Sequence, residues 1–146
     1  MGEAALVAEL RDKGRQFVEI LDSKSLSPTV AFWARPDDES DWVLIVSRPD
    51  FEQLGPRKSY ESLQVPFRSA EAELDPLTFA SIRVVPEKHP LIQLSSKMFK
   101  TGPQALANIH SAGNVINGVV LPDALIYRMA PSYLQHRNDS ARNASD

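Results

Sequence analysis

The stretch Asn108-Ile-His-Ser-Ala-Gly-Asn-Val-Ile-Asn-Gly-Val-Val-Leu-Pro-Asp-Ala-Leu-Ile-Tyr-Arg-Met129 decides how this chain reads. Asn117-Gly118 lies between β-branched residues, and this dipeptide supplies the positive φ angles that a type I′ turn demands. The stretch is therefore expected to form two long antiparallel strands. With Asn117 and Gly118 as the loop, Ile116 pairs with Val119, His110 lies opposite Leu125 and Asn108 opposite Tyr127. Asp123 then becomes a diagonal neighbour of His110 on the same face, within reach of a side-chain hydrogen bond. Pro122 opposes this register, because proline within a ladder belongs at an edge or a bulge. The competing parse turns at Pro122-Asp123 and takes Asp123 away from His110.

Polar groups crowd this hairpin. A carboxylate beside a histidine orients the ring and favours its protonated form, as a general base requires, so His110 and Asp123 are the candidate catalytic residues. Asn114, Asn117, Tyr127 and Arg128 are the candidate ligand-binding residues. The segment 113–118 follows neither the lysine-and-hydroxyl phosphate loop nor the dinucleotide glycine pattern, so turn chemistry accounts for it without a ligand.

Outward from the hairpin, residues 4–22 carry Leu6, Val7, Leu10, Gly14, Phe17, Val18 and Leu21 on one helical stripe. Gly14 on that apolar face is suited to close approach of a strand. Two strands follow, 29–35 and 41–47, joined by the polar loop 36–40. Trp42, Leu44 and Val46 face one way and Val43 and Ile45 the other, which marks an interior strand. Residues 48–54 read as a connection. Gly55-Pro56 opens a helix, with proline at its first turn, and Pro66 closes it. Residues 68–75 read as a polar link, 76–79 as one helical turn, 81–85 as a strand, and 90–99 as a further helix ending before Gly102.

The expected architecture is a single α+β domain over residues 1–134, in the order α-β-β-α-β-α-β-β. A largely antiparallel five-stranded sheet carries about three helices on one face. Residues 135–146 are polar and expected to form a flexible tail.

The chain has 146 residues, enough for one domain with a proper core. Its net charge of −3 gives no global attraction to nucleic acid or an anionic membrane. It contains no cysteine, so a disulfide framework and thiolate chemistry are excluded. The N-terminal residues lack a basic stretch followed by an apolar run, and no apolar run approaches the roughly 20 residues of a membrane span. These features point to a cytoplasmic protein and make the two sequons at Asn138 and Asn143 chance matches. His89, His110 and His136 show no metal-ligand spacing, and the acidic run Asp37, Asp38, Glu39, Asp41 lacks the alternation and glycine of a calcium loop, so neither a metal nor a cofactor is expected.

The leading expectation is a small non-catalytic binding or regulatory module acting through a protein partner or as a homo-oligomer, with the strand 119–129 able to pair with another chain if it lies at a sheet edge. One rival is a hydrolase or nuclease-like enzyme built on His110 and Asp123. The other is a nucleic-acid binder using Lys97, Lys100 and Arg128, which requires those charges to share a face.

Overall fold

The α-helical stripe and the alternating strands of this chain bury against one another, and the computed structural model describes the result for residues 6, 8–35 and 41–134. In chain order the elements are α1 (Ala8–Ser23), β1 (Val30–Arg35), β2 (Val43–Ser47), α2 (Phe51–Ser69), α3 (Glu71–Leu74), β3 (Ile82–Val84), α4 (Pro90–Ser95), β4 (Ile109–Ser111), β5 (Val115–Ile116), β6 (Val119–Val120) and β7 (Asp123–Met129). The single α+β domain holds a five-stranded sheet of order β3-β2-β1-β7-β4, in which only the β2·β3 pair is parallel. β5 and β6 form a separate two-stranded ribbon.

The period-2 pattern of the interior strands divides the core into two layers. Ala31, Trp33, Leu44, Val46, Leu125 and Tyr127 meet α1, α2 and α3 on one face. Phe32, Ala34, Ile45, Ile126 and Met129 meet Ile92 of α4, with Leu91 and Phe99, on the other. The expected single covered face is corrected: α1, α2 and the short α3 cover one face, while α4, the helix expected from residue 90, caps the opposite one, because Phe32, Ala34, Ile45 and Ile126 make that face apolar too. α1 buries Gly14, Phe17, Val18 and Leu21. Gly14 is needed there, because a Cβ would stand 2.5 Å from the Trp33 indole nitrogen and 2.9 Å from the Tyr127 hydroxyl.

α2 departs from expectation at both ends. One helical turn already forms from Phe51, before Gly55 breaks the backbone at φ 80° and Pro56 restarts the helix. At the other end the helix runs through Pro66 to Ser69. Losing one N–H donor near a helix end is offset by burying Leu63, Pro66 and Phe67 against the core. The link after it is partly helical as well, since Leu74 of α3 is fully buried. The acidic residues 37–39 and the expected tail 135–146 lie outside the described residues.

Candidate functional site

The hairpin turns at Asn117-Gly118, both in the left-handed region at φ 52° and 79°, and the competing turn at Pro122-Asp123 is excluded. The register is the expected one throughout: Ile116↔Val119, Val115↔Val120, Ser111↔Ala124, His110↔Leu125 and Ile109↔Ile126. Gly113, at φ 68°, and Pro122 interrupt the ladder between the two halves, where the Leu121 amide still donates to the Asn114 carbonyl at 2.8 Å. The interruption separates the β5–β6 ribbon from the main sheet. Leu121 is buried at the ribbon's base, while Val115, Val119 and Val120 are 55%, 47% and 69% exposed. No charged residue occurs from 101 to 122.

β7 is an interior strand, paired with β1 on one side and β4 on the other. The expectation that the strand 119–129 pairs with another chain is thus corrected for residues 123–129, whose backbone groups are already used. The edge strand on this side of the sheet is β4.

His110 and Asp123 line one cavity of about 190 Å³, together with Leu6, Arg11, Trp42 and Leu125. They do not bond to each other. Cross-strand pairing sets Asp123 opposite Arg35 of β1, and the two form an ion pair at 3.8 Å. The carboxylate is turned to a guanidinium, so the acid–histidine pair of a general base is not assembled. Two further lining residues were not singled out by sequence. Arg11, in the first turns of α1, makes no side-chain hydrogen bond or ion pair with a described residue. The indole N–H of Trp42 is buried and has no acceptor. The signal for Trp42 lay in its alternation with Leu44 and Val46, which identified its face without identifying its neighbours.

The remaining candidates have structural partners. Tyr127 and Arg128 are both fully buried. A bulge causes this: Ala31 pairs with Arg128 and Phe32 with Ile126, so Tyr127 is an extra residue and both side chains reach the α1 layer. The Trp33 indole N–H donates to the Tyr127 hydroxyl at 3.0 Å, and that hydroxyl donates to the Arg11 carbonyl. Burial pushes the Tyr127 hydroxyl pKa up to about 12, against the lowering effect of the Trp33 hydrogen bond. Arg128 donates to both Asp22 carboxylate oxygens at 2.9 Å, to the Pro28 carbonyl at 3.1 Å and to the Ala105 carbonyl at 3.0 Å. Partial burial works to raise the Asp22 pKa, but hydrogen bonds from Arg128 and Ser27 and the charge of Arg128 hold it below its ordinary value. The Asn114 amide donates to the Ser111 hydroxyl at 2.8 Å and braces the ribbon's base, while Asn117 is a turn residue.

The nucleic-acid reading needed Lys97, Lys100 and Arg128 on one face. Arg128 is buried in the α1 layer, whereas Lys97 and Lys100 line a cleft of about 660 Å³ with Gln93 and Tyr133 beside α4. The three charges do not share a surface. Among the described residues no three His, Asp or Glu side chains cluster as metal ligands, and no helix is long and apolar enough to cross a membrane. Comparison with protein-family models, with curated proteins and with solved structures returned no match for this chain.

Proposed function

We propose that this chain is a small non-catalytic binding module that works through protein–protein contact, with the β5–β6 ribbon as its contact element. The supporting observation is the exposure of Val115, Val119 and Val120 together on a short uncharged ribbon. Exposed apolar residues scattered singly need no explanation, but Val115 and Val120 are directly paired and share one face of the ribbon, with Val119 exposed on the other, so a four-residue ribbon presents apolar side chains on both faces. The outer edge of β4 lies next to it in sequence and carries no strand neighbour. An unpaired strand edge beside an apolar patch suits an extended segment of another protein, which gains main-chain hydrogen bonds from the edge and side-chain burial from the ribbon.

The occupant is a heterologous apolar segment rather than a second copy. β4 offers three residues, so two-fold pairing of two copies would rest on a strand contact of only three residues a side. The ribbon alone also falls short of the roughly 800 Å² per partner typical of a stable complex, which makes it an anchor rather than the whole interface.

The test is site-specific photo-crosslinking in cells that produce the protein, with the reactive group at Val120 and a control at Val65. Val65 is 71% exposed on α2, so it reports non-specific capture. One adduct at a defined mass from Val120, absent from Val65 and lost in Val115→Lys, is the expected result. An adduct at the mass of a dimer replaces the heterologous partner with a second copy. Equal labelling from both positions contradicts the reading.

A further inference from the structure

α4 is a short helix held at few points, and the group that caps it can take up a proton. The helix has six residues, Pro90–Ser95, and its Ile92 is fully buried in the second core layer with Phe32, Ala34, Ile45, Ile126 and Met129. Open space flanks it on both sides. His89 and Leu91 border a cavity of about 580 Å³, while Pro90, Gln93 and Leu94 border the cleft of about 660 Å³. So short a helix does not persist on its own hydrogen bonds, and its cap and Ile92 therefore carry much of what keeps it in place. The cap is the His89 side chain, whose Nδ1 accepts the Leu91 amide hydrogen at 3.1 Å. Nδ1 accepts only while it carries no proton, so the capping ring is the neutral form with its hydrogen on Nε2.

We propose that α4 is a proton-operated flap, closed over the second core layer while His89 Nδ1 accepts the Leu91 N–H and loosened when the ring is protonated. Protonation turns the acceptor into a donor, so two N–H groups face each other in place of a bond. It also sets a positive charge at the end of the helix where backbone N–H groups already point, which the helix dipole disfavours. Across the cavity stand Asp41, ahead of β2, and Arg83 of β3. Asp41 favours the charged ring and Arg83 opposes it, whereas the cap and the helix end both oppose it. The nearest charges on the segment leading to His89 are engaged elsewhere. The Glu87 carboxylate accepts from Thr29 and Ser132, and the Lys88 ammonium donates to Glu52. α4 itself carries no charged residue. The cap's contribution is thus present at high pH and lost as pH falls through the range of about 5–8 in which imidazoles titrate. Loosening α4 uncovers the apolar face that Ile92 covers, whatever the ribbon contacts.

The test is amide hydrogen exchange of the full chain, read in ¹H–¹⁵N spectra at about pH 7.5 and about pH 5.5, on either side of imidazole titration. The amide of the buried Ser96, bonded to the Ile92 carbonyl at 2.9 Å, reports opening of α4, and the amides of α1 are the reference. Loss of an N-cap bond of ordinary strength shifts a helix equilibrium about fivefold. The expected result is Ser96 exchange about fivefold faster at the lower pH, once the intrinsic pH dependence of exchange is removed, with α1 unchanged. The Leu91 amide proton should move upfield along the same titration as its hydrogen bond is lost. His89→Asn supplies a cap that does not titrate and leaves Asp41, Glu87, His110 and His136 in place, so Ser96 should be equally protected at both pH values. His89→Ala, with no cap, should show the faster exchange at both. Ser96 protection that does not change with pH in the parent overturns the proposal, as does a change that persists in His89→Asn. Equal loss of protection in α1 also overturns it, since that marks the whole domain loosening rather than one flap.

Discussion

Gly14→Ala places one methyl group where α1 crosses β1 and β7, and its effect can be worked from the contacts. In an exposed helix the exchange stabilises by about 1 kcal/mol, because alanine has the higher helix propensity. Here the new Cβ stands 2.5 Å from the Trp33 Nε1, 3.1 Å from its Cε2 and 2.9 Å from the Tyr127 hydroxyl. Both side chains are fully buried, so neither can swing aside as the end of a surface chain would. Moving α1 outward relieves the clash but loosens the packing of Phe17, Val18 and Leu21. Moving the indole instead breaks its 3.0 Å hydrogen bond to Tyr127. Overpacking costs about 1–3 kcal/mol. A buried donor left without its acceptor costs about 1–3 kcal/mol more. Set against the propensity gain of about 1 kcal/mol, the two costs together leave a net expected loss of about 1–5 kcal/mol. Urea denaturation followed by tryptophan fluorescence measures it as a fall in midpoint at unchanged slope. A Gly14→Ala protein as stable as the parent, with the Trp33 indole resonance unmoved, would refute the close approach of helix and sheet.

Other expectations follow from the same layer. Tyr127→Phe leaves the Trp33 N–H without its acceptor and should cost about 1–3 kcal/mol by the same denaturation assay. The Tyr127 pKa is raised to about 12 by burial, so its contribution is fully present below the unfolded value of about 10 and is lost as pH rises through the folded value. Stability should therefore fall between about pH 10 and 12, and Tyr127→Phe should flatten that fall. Asp22→Asn leaves the buried Arg128 guanidinium without a counter-charge and should cost about 2 kcal/mol, discounted for the partial exposure of Asp22. Since the Asp22 pKa is lowered in the folded protein, its contribution is present above the unfolded value and lost as pH falls through the folded one, so acid titration of the parent and Asp22→Asn should converge below about pH 4. Gly118→Ala, at φ 79°, should cost about 1 kcal/mol in the ribbon and speed amide exchange over residues 114–121, with little change in the global midpoint.

The sequence is most legible where local chemistry and period agree. Asn117-Gly118 permits one tight turn, and from it the whole register to His110↔Leu125 follows because a slip of one residue would turn every side chain over. The α1 stripe and the role of Gly14 are legible for the same reason. What remained hidden depends on which strands meet across the chain. Nothing local says that β7 enters between β1 and β4, and it is β1 that delivers Arg35 to Asp123 and takes it from His110. The bulge at Tyr127 is likewise a tertiary accommodation. It turned two polar residues that resemble ligand contacts into core braces. Arg11 and Trp42 looked like ordinary members of an amphipathic helix and a strand, and only the fold brings them to one cavity. α2 runs past Pro66 because core burial outweighs a local breaker.

The central claim is that the β5–β6 ribbon is the protein-contact element, and its most direct measurement is a calorimetric titration. The purified protein captured through Val120 is titrated into the parent chain and into the double variant Val119→Lys, Val120→Lys. Both positions are exposed, so the variant should fold as the parent does, with a stability from urea denaturation unchanged within about 0.5 kcal/mol. One-to-one binding by the parent is expected, with an affinity at least about a hundredfold lower in the variant, which places a charge on each face of the ribbon. Equal affinity of the two proteins, with folding intact, would contradict it.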